Sequence, residues 1–247
     1  MQRNKLGLLG KNIDYSFSRS YFSEKFKREN LDFSYTNFDI DSLEKLQTIV
    51  SNKSLIGFNV TIPYKEEIIH HLDSINDEAK TIGAVNTVVI SSSGKLIGFN
   101  TDCWGFAESL RPHLKTHHKK ALILGTGGAA KAIAYVLKQF GISFKYVSRK
   151  ESDNMLINYN ELQSSIIESH KLIINCTPLG TYPNIENAPE IPYKFITNQH
   201  ILFDLIYNPE KTLFLKKGEA RGATIINGYK MLVLQAERAF QIWQNYI

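Results

Sequence analysis

Two ionisable residues, a lysine and an aspartate, stand where the sequence predicts that a strand passes into a helix. Lys65 ends the run 57–65, GFNVTIPYK, and Asp102 ends the run 98–102, GFNTD. Proline is tolerated in a first helical turn, so Pro63 predicts a helix that begins close to Lys65. The dipole of such a helix disfavours the ammonium form of the lysine, which suits a proton donor. A carboxylate at the second junction can pair with that lysine.

Both residues also have a structural interpretation. A lysine beside Glu66 and Glu67 is commonly an exposed residue that pairs with its neighbours. Asp102 is also a suitable helix N-cap, because aspartate accepts hydrogen bonds from the unpaired amides of a first helical turn. An N-cap carboxylate can still face a cleft, so the two interpretations of Asp102 are compatible.

Two serine hydroxyls near the start of the chain form a second candidate group. Alternate side chains of an extended segment face the same way, so Ser16 and Ser18 are expected to share one side. Two such donors could hold a substrate carboxylate. A serine-rich loop without a ligand is the alternative interpretation.

A glycine-rich turn follows a strand-like run at 121–124 and precedes a predicted helix at 129–140. The turn contains Gly125, Gly127, Gly128 and Ala129. Glycines allow a sharp turn and let backbone amides approach a pyrophosphate at a helix N-terminus, where the dipole favours anions. The turn therefore predicts a dinucleotide site, although a plain βα turn can have a similar composition.

The end of the next predicted strand, 142–147, indicates which dinucleotide binds. NAD enzymes usually carry Asp or Glu there, to accept hydrogen bonds from the ribose hydroxyls. This chain instead has Ser148, Arg149 and Lys150, and a guanidinium can bind a 2′-phosphate through two hydrogen bonds. The sequence therefore predicts NADP as the cofactor. A solvated basic turn is the alternative, more plausible for Lys150 than for Arg149.

These residues lie on alternating strands and helices, the order of an α/β fold. We predict strands at 6–9, 33–35, 56–60, 85–90, 95–99, 121–124, 142–147, 171–175 and 201–205, and helices at 41–50, 102–114, 129–140 and 229–246. From about residue 102 the pattern is a βαβ series, typical of a Rossmann-like, doubly wound parallel sheet. We therefore predict two domains, with a boundary between residues 101 and 102.

Composition and charge exclude several classes of protein. Of the 247 residues, 43% are hydrophobic and 21% charged, as in a folded globular chain. The net charge of +5 fits an anionic ligand, and no dense Lys/Arg run favours nucleic acid. Cys103, Cys176 and the seven histidines lack metal-ligand spacing, so no metal is expected. Without a membrane span or leader pattern, we expect a cytoplasmic protein with a small-molecule substrate and no membrane partner.

Seven short motifs occur in a fixed order over nearly the whole chain. They are Ser-x-Ser at 16–18, Asn-Val-Thr-x-Pro-x-Lys at 59–65, Gly-Ala-Val-Asn-Thr at 83–87, Gly-x-Asn-Thr-Asp-x-x-Gly at 98–105, Gly-x-Gly-Gly-Ala-Ala at 125–130, Asp-x-x-Tyr-Asn-Pro at 204–209 and Asn-Gly-x-x-Met-Leu-x-x-Gln-Ala at 227–236. Each motif alone is weak, but the ordered set is specific. It resembles the shikimate/quinate dehydrogenase family, and shikimate dehydrogenases in particular.

The resemblance implies NADPH-dependent, reversible reduction of 3-dehydroshikimate to shikimate by a monomer or homodimer. It implies a substrate-binding and catalytic domain at 1–101, an NADP domain at 102–228, and a last helix, 229–247, that packs back on the first domain. The implied catalytic pair is Lys65 and Asp102. The implied substrate-binding residues are Ser16, Ser18, Asn59, Thr61, Asn86, Tyr207 and Gln235. The implied cofactor residues are Gly125, Gly127, Gly128, Ala129 and Arg149, with Gly228 and Met231 beside the nicotinamide.

The sequence departs from the family pattern in four places. Residues 12–15, NIDY, replace a lead into the serines that usually contains Pro and His, and Arg19 replaces a frequent Pro. Residues 148–150, SRK, replace Asn-Arg-Thr, and residues 175–180, NCTPLG, differ from the common Asn-Ala-Thr-Ser form. None of the four changes the Lys/Asp pair.

Two other functions compete with this interpretation. One is a shikimate/quinate dehydrogenase able to use NAD, and Arg149 in place of an acid at the end of the strand argues against it. The other is a non-catalytic dinucleotide-binding regulator. That class has no need of the complete Lys/Asp set, and no helix-turn-helix pattern is visible in the sequence.

Overall fold

The computed structural model describes residues 4–14, 16–149 and 155–246. Contacts between Cα atoms divide the chain into two compact units. Unit 1 comprises Met1–Thr101 and Ala236–Ile247, and unit 2 comprises Asp102–Gln235. The functions of the two units remain predictions.

Unit 1 contains a mixed six-stranded sheet. Its strands are β1 (Asn4–Gly10), β2 (Phe33–Asp39), β3 (Leu55–Val60), β4 (Ser74–Ile75), β5 (Thr87–Ile90) and β6 (Leu96–Phe99), in the order β2-β1-β3-β5-β6-β4. Strands β1, β2 and β3 are parallel, whereas β5 is antiparallel to both β3 and β6. The parallel strands end at one edge of the sheet, and the predicted run to Lys65 leaves from that edge.

The helices of unit 1 differ most from the sequence prediction. They are α1 (Phe17–Arg28), α2 (Leu46–Val50) and α3 (Asp77–Ile82), with 3-10 helices at Leu43–Lys45 and Glu67–His71. The predicted helix at 41–50 is a 3-10 turn followed by α2, and the Ser42 hydroxyl accepts from the Glu44 amide at 3.3 Å. Helices α1 and α3 were not predicted.

Unit 2 contains a six-stranded sheet in which every pairing is parallel. Its strands are β7 (Lys120–Leu124), β8 (Ser143–Ser148), β9 (Leu156–Asn158), β10 (Leu172–Asn175), β11 (Ile201–Asp204) and β12 (Thr224–Ile226), in the order β12-β11-β10-β7-β8-β9. This is the strand order of dinucleotide-binding sheets, in which the direction of winding reverses between β7 and β10. The predicted α/β class with a doubly wound parallel sheet is confirmed.

Helices connect the strands of unit 2. They are α4 (Asp102–Leu110), α5 (Gly128–Gln139), α6 (Ser164–Ser169), α7 (Leu213–Glu219) and α8 (Tyr229–Gln244), with 3-10 helices at Arg111–His113, Tyr159–Glu161 and Tyr193–Phe195. Gly141, with φ at +67°, follows α5 as predicted. Across the described ranges, no helix combines the length and the apolar character needed to cross a membrane.

Both faces of the unit 1 sheet are covered by apolar side chains. Leu6 and Leu8 of β1 pack in a cluster with Phe22 of α1, whereas Leu9 packs in a cluster on the opposite face. The end of α8 also packs in the first cluster, where the Trp243 indole donates to the Val88 carbonyl at 2.9 Å. The sheet is therefore rigid on both sides of the strands that carry the candidate residues.

Candidate active site

The segment that carries Lys65 is a series of turns rather than the start of a helix. The Tyr64 amide donates to the Thr61 carbonyl at 2.9 Å, and the 3-10 helix begins only at Glu67. The Lys65 carbonyl accepts from the Val85 amide at 2.7 Å, which is a bond to a distant segment and not a hydrogen bond within a helix. The predicted helix at Lys65 is therefore wrong, and the argument from its dipole does not apply. The Lys65 side chain is half-buried.

Asp102 is the first residue of α4 and is buried. The residue before it, Thr101, is fixed by Asn86. The Asn86 side-chain oxygen accepts from the Thr101 amide at 2.7 Å, and its nitrogen donates to the Thr101 hydroxyl at 3.0 Å. Asp102 was predicted as the N-cap, but it is the first residue of the helix itself. The helix dipole favours a carboxylate at that position too.

A short path of bonds within unit 1 leads from Lys65 to the residue before Asp102. Lys65 is joined to Val85 by a backbone hydrogen bond, Val85 to Asn86 by a peptide bond, and Asn86 to Thr101 by its side chain. Thr101 and Asn86 are both buried, so this path is shielded from water. It is a structural reason to consider the lysine and the aspartate together.

Ser16 and Ser18 lie at the start of a helix and not on an extended segment. Helix α1 begins at Phe17, and its buried Phe22 and Phe26 are four residues apart, which is the spacing of a helix face. Ser16 directly precedes the helix and is partly exposed, whereas Ser18 is buried and forms a side-chain hydrogen bond with Tyr35. The expectation that both hydroxyls face one side of an extended chain is therefore wrong.

Asn59 is a buried junction between strands. Its nitrogen donates to the Asn86 carbonyl and to the Thr87 hydroxyl, each at 3.1 Å, and its oxygen accepts from the Tyr35 hydroxyl at 2.8 Å. Burial raises the pKa of Tyr35 well above its usual value, so that hydroxyl remains a donor. Asn59 thus ties β2, β3 and β5 together, while Thr61 after β3 is partly exposed.

The glycine turn and Arg149 line one pocket of about 400 Å³ in unit 2. The pocket lies where β7 and β10 end, which is the position at which doubly wound sheets bind ligands. The described residues that line it are Gly125, Thr126, Gly127, Val147, Ser148, Arg149, Tyr159, Cys176, Thr177, Pro178 and Leu179. The structure therefore brings Gly125, Gly127 and Arg149 together. Lys150, the other predicted cation, lies outside the described residues.

The backbone of the turn fits a dinucleotide. Gly125 has φ at +104°, a conformation that favours glycine, and a Cβ there would lie 3.3 Å from the Cys176 carbonyl oxygen. Gly127 directly precedes the twelve-residue helix α5, and no atom lies within 4 Å of the position of a Cβ at Gly127. Gly128 and Ala129 form the first turn of α5. Amides at a helix start beside open space are suited to hold a pyrophosphate.

Sequence reasoning missed part of the pocket wall. Residues 176–179 follow β10, which pairs with β7, so their place beside the glycine turn follows from the strand order. Tyr159 had no sequence signal. Its hydroxyl is buried without a hydrogen-bond partner in the described structure, and burial raises its pKa to about 12. Cys176 is partly exposed, yet burial of its thiol raises its pKa, so the thiol is neutral near pH 7.

The start of α8 carries the other predicted contacts of unit 2. A Cβ at Gly228 would lie 2.1 Å from the Leu205 carbonyl oxygen, so only glycine allows this close approach. Met231 is buried, and Gln235 is 7% exposed and donates to the Leu232 carbonyl at 2.9 Å. Tyr207, between β11 and α7, is partly exposed. Across the described ranges, no group of three or more His, Cys, Asp or Glu side chains is arranged to hold a metal ion.

Comparisons with known proteins give one consistent result. A sequence model described as the shikimate dehydrogenase substrate binding domain matches residues 8–88. The shikimate dehydrogenase (NADP(+)) of Desulforamulus reducens is 33% identical, over 97% of this chain and 89% of that protein. The shikimate dehydrogenase (NADP(+)) of Methanococcus vannielii is 37% identical, over 98% and 91%. The crystal structure of Thermus thermophilus shikimate 5-dehydrogenase with NADP(H) and shikimate is 30% identical, with a TM-score of 0.86 over 98% of this chain and 94% of that one.

Proposed function

The chain belongs to the shikimate dehydrogenase family, and we propose that it catalyses the reversible, NADPH-dependent reduction of 3-dehydroshikimate to shikimate in aromatic amino-acid biosynthesis. The observation that carries the proposal is the pocket at the winding reversal of the unit 2 sheet. There the glycine turn and Arg149 line the same cavity. The ordered set of family motifs in the sequence supports the same proposal.

Lys65 and Asp102 are the proposed catalytic pair. Bound NADPH supplies a hydride to the C3 carbonyl carbon of the substrate. Lys65, directly or through a water that it orients, donates the proton that the carbonyl oxygen needs to become a hydroxyl. Asp102 holds the lysine and accepts from a ring hydroxyl.

The substrate is proposed to be held by polar side chains. These are Ser16, Ser18, Asn59, Thr61, Asn86, Tyr207 and Gln235. The partial exposure of Ser16, Thr61 and Tyr207 supports direct contact with the substrate. The buried Asn59 and Asn86 bond other protein groups, which supports a contribution through positioning as well.

The proposed cofactor contacts are Gly125, Gly127, Gly128, Ala129, Arg149, Gly228 and Met231. Among the described residues, no Asp or Glu lines the pocket that the glycine turn shares with Arg149, which supports NADP over NAD. We assign the substrate and the catalytic lysine to unit 1 and the dinucleotide to unit 2.

Two further features belong to the proposal. A cytoplasmic location is supported by Cys103 and Cys176, which form no disulfide in the described part of the chain and so suit a reducing compartment. The pocket of about 400 Å³ supports a small-molecule ligand, and the proposed state is a monomer or homodimer without nucleic-acid or membrane partners.

An absorbance assay at the NADPH band tests the proposal. Shikimate and quinate are each offered with NADP and with NAD. We expect turnover of shikimate with NADP to exceed the other three combinations. Turnover of quinate with NAD at an equal rate would indicate the broader shikimate/quinate activity. Tight NADPH binding without turnover would indicate the non-catalytic regulator.

A further inference from the structure

Asp204 is a buried carboxyl group that the proposed reaction does not use. It ends β11 and is 0% exposed. One of its oxygens accepts from the Asn175 side-chain nitrogen at 3.0 Å and from the Ile206 amide at 3.1 Å, and the other accepts from the Thr212 hydroxyl at 2.6 Å. Burial of a carboxyl group is costly unless hydrogen bonds satisfy it, and these three donors satisfy both oxygens of Asp204.

On one side, the contact with Asn175 extends to the wall of the dinucleotide pocket. Asn175 and Asp204 are paired neighbours on β10 and β11. The Asn175 oxygen accepts from the Thr177 amide at 3.0 Å and from the Thr177 hydroxyl at 2.7 Å. The Leu179 amide in turn donates to the Thr177 hydroxyl oxygen at 3.3 Å, and both residues line the pocket.

The orientation of the Asn175 amide depends on Asp204. A side-chain amide has a donor end and an acceptor end, and a carboxylate can accept only from the donor end. Because Asp204 accepts from the nitrogen of Asn175, the oxygen is directed at Thr177. A reversed amide would place its nitrogen against the Thr177 amide, donor against donor, and the wall at 177–179 would lose its support.

On the other side, Asp204 fixes the segment that precedes Tyr207. It accepts from the Ile206 amide, and the Ile206 carbonyl accepts from the Gly228 amide at 3.0 Å. The Thr212 hydroxyl that donates to Asp204 also caps α7 by accepting from the Leu215 amide at 3.3 Å. One carboxyl therefore supports the pocket wall, the turn after β11 and the start of α7.

We propose that Asp204 is a positioning residue for NADP binding, which acts by orienting Asn175 and, through it, the 176–179 wall of the dinucleotide pocket. The inference rests on the proposed function, since it assumes that this pocket holds the cofactor. Asp204 is not a catalytic residue, because its oxygens are occupied by Asn175, Ile206 and Thr212.

The ionisation of Asp204 provides a second readout. Burial raises its pKa to about 6, against the opposing hydrogen bonds from Thr212, Ile206 and Asn175. The ionisable groups that interact with it are Cys176 and Tyr193, and burial raises the pKa of both, so both are neutral near pH 6. Loss of the negative charge weakens the hydrogen bond from Asn175, because bonds to charged acceptors are the stronger ones. NADP binding should therefore weaken as the pH falls through 6.

The test is the dissociation constant of NADPH, measured by calorimetry without turnover, for variants at both ends of the contact. Asp204→Ala and Asn175→Ala should each raise the constant about tenfold at pH 8, which corresponds to about 1.4 kcal/mol. The double variant should lose no more than either single variant, because both remove the same interaction. Thr212→Val is the matched control, since it removes a donor to Asp204 but leaves the Asn175 contact, and the constant should stay within about twofold.

Asp204→Asn keeps an acceptor for Asn175 and Ile206 but cannot ionise. It should bind NADPH at pH 8 about as weakly as the wild type does at pH 5.5, because both then have a neutral acceptor at position 204. The additional weakening of the wild type at pH 5.5 should be absent from this variant. The 2′-phosphate of the cofactor titrates in the same range, but it does so equally in both proteins, so their difference isolates Asp204.

The outcomes separate the inference from the proposed function. Wild-type protein that binds no NADPH would overturn the proposed function. Wild-type protein that binds NADPH, with Asn175→Ala and Asp204→Asn indistinguishable from it at every pH, would overturn the inference alone. Asp204→Asn decides the matter even where Asp204→Ala does not fold. Additive losses in a folded double variant would equally overturn the inference.

Discussion

Asn86 holds Thr101 by both ends of its side-chain amide, which accepts from the Thr101 amide at 2.7 Å and donates to the Thr101 hydroxyl at 3.0 Å. Asn86 is 2% exposed, so water cannot replace these bonds if they are lost. Because Asp102 follows Thr101, the position of the proposed catalytic carboxylate depends on this contact. Asn86 thus has a structural part in the site beyond any contact with the substrate.

We expect Asn86→Ala to lower both stability and turnover. The variant leaves the buried Thr101 amide without its acceptor, which costs about 1–3 kcal/mol of unfolding free energy. It should also lower kcat, because Asp102 loses its fixed position. Urea unfolding and initial rates measure the two effects. Asn245→Ala, an exposed asparagine after α8, is the control and should change neither. An unchanged unfolding midpoint in Asn86→Ala would contradict the prediction.

Lys65→Ala should remove most of the turnover and leave substrate affinity within a few-fold. Proton transfer by a positioned group contributes roughly 10²–10⁴-fold to a rate, and this contribution is made in the transition state. Steady-state kinetics with shikimate and NADP give kcat and KM separately. Lys80→Ala on α3 is the matched control, because Lys80 is an exposed lysine in the same unit. A kcat near that of the wild type would exclude Lys65 from the chemistry.

Ser16→Ala and Ser18→Ala should behave differently, although only one residue separates the two serines in the sequence. Ser16 is partly exposed and is proposed to contact the substrate, so its variant should raise KM for shikimate with little change in stability. Ser18 is buried and bonded to Tyr35, so its variant should lower the unfolding free energy by about 1 kcal/mol. KM values and urea midpoints for the pair provide the measurement. The same change in both variants would contradict the prediction that Ser16 contacts the substrate whereas Ser18 stabilises the fold.

Turns between adjacent strands and helices could be predicted from the sequence, whereas contacts between distant segments could not. The glycine turn and Arg149 were located because the pattern of a βα turn is local. The wall at 176–179 was missed, since it meets the turn only through the pairing of β10 with β7. A helix at Lys65 was predicted from Pro63. In the structure the Lys65 carbonyl instead accepts from Val85, twenty residues away, and no local pattern records that bond.

Three buried histidines should make the protein lose stability in mild acid. Burial lowers the pKa of His118, His170 and His200, so the folded state holds them neutral. A lowered pKa means that their contribution is complete above the unfolded value of 6.5 and is lost as the pH falls below it. Asp204 acts in the opposite direction, because its raised pKa makes the folded state gain stability as the pH falls from about 6.

The contribution of the histidines to the loss of stability in acid is therefore measured by comparing a histidine variant with the wild type. His200→Gln should lower stability at pH 8, but its urea midpoint should fall less than that of the wild type between pH 7 and 5. His70→Gln, which changes an exposed histidine, should follow the wild type. Parallel curves for His200→Gln and the wild type would show that His200 does not contribute to the acid loss.

Arg149 should set the preference for NADP through its charge and its shape. It lines the pocket of the glycine turn, and the residue before it, Ser148, adds a hydroxyl donor. A 2′-phosphate brings about −1.5 to −2 charges to this position. Arg149→Ala should raise KM for NADP about tenfold, or about 1.4 kcal/mol, and leave KM for NAD nearly unchanged. Arg149→Lys should lose less, because it keeps the charge but not the two-pronged hydrogen bonding of a guanidinium.

The pattern across cofactors and salt distinguishes this role from a general effect on the loop. Arg149 is exposed, so added salt should weaken the preference of the wild type for NADP and have little effect on Arg149→Ala. Arg221→Ala, an exposed arginine elsewhere in unit 2, should leave both cofactors unaffected. Equal losses with NADP and NAD would indicate a folding defect in the pocket. No loss with either would mean that Arg149 is a solvated residue, and only a selective loss with NADP fits a guanidinium that binds the 2′-phosphate.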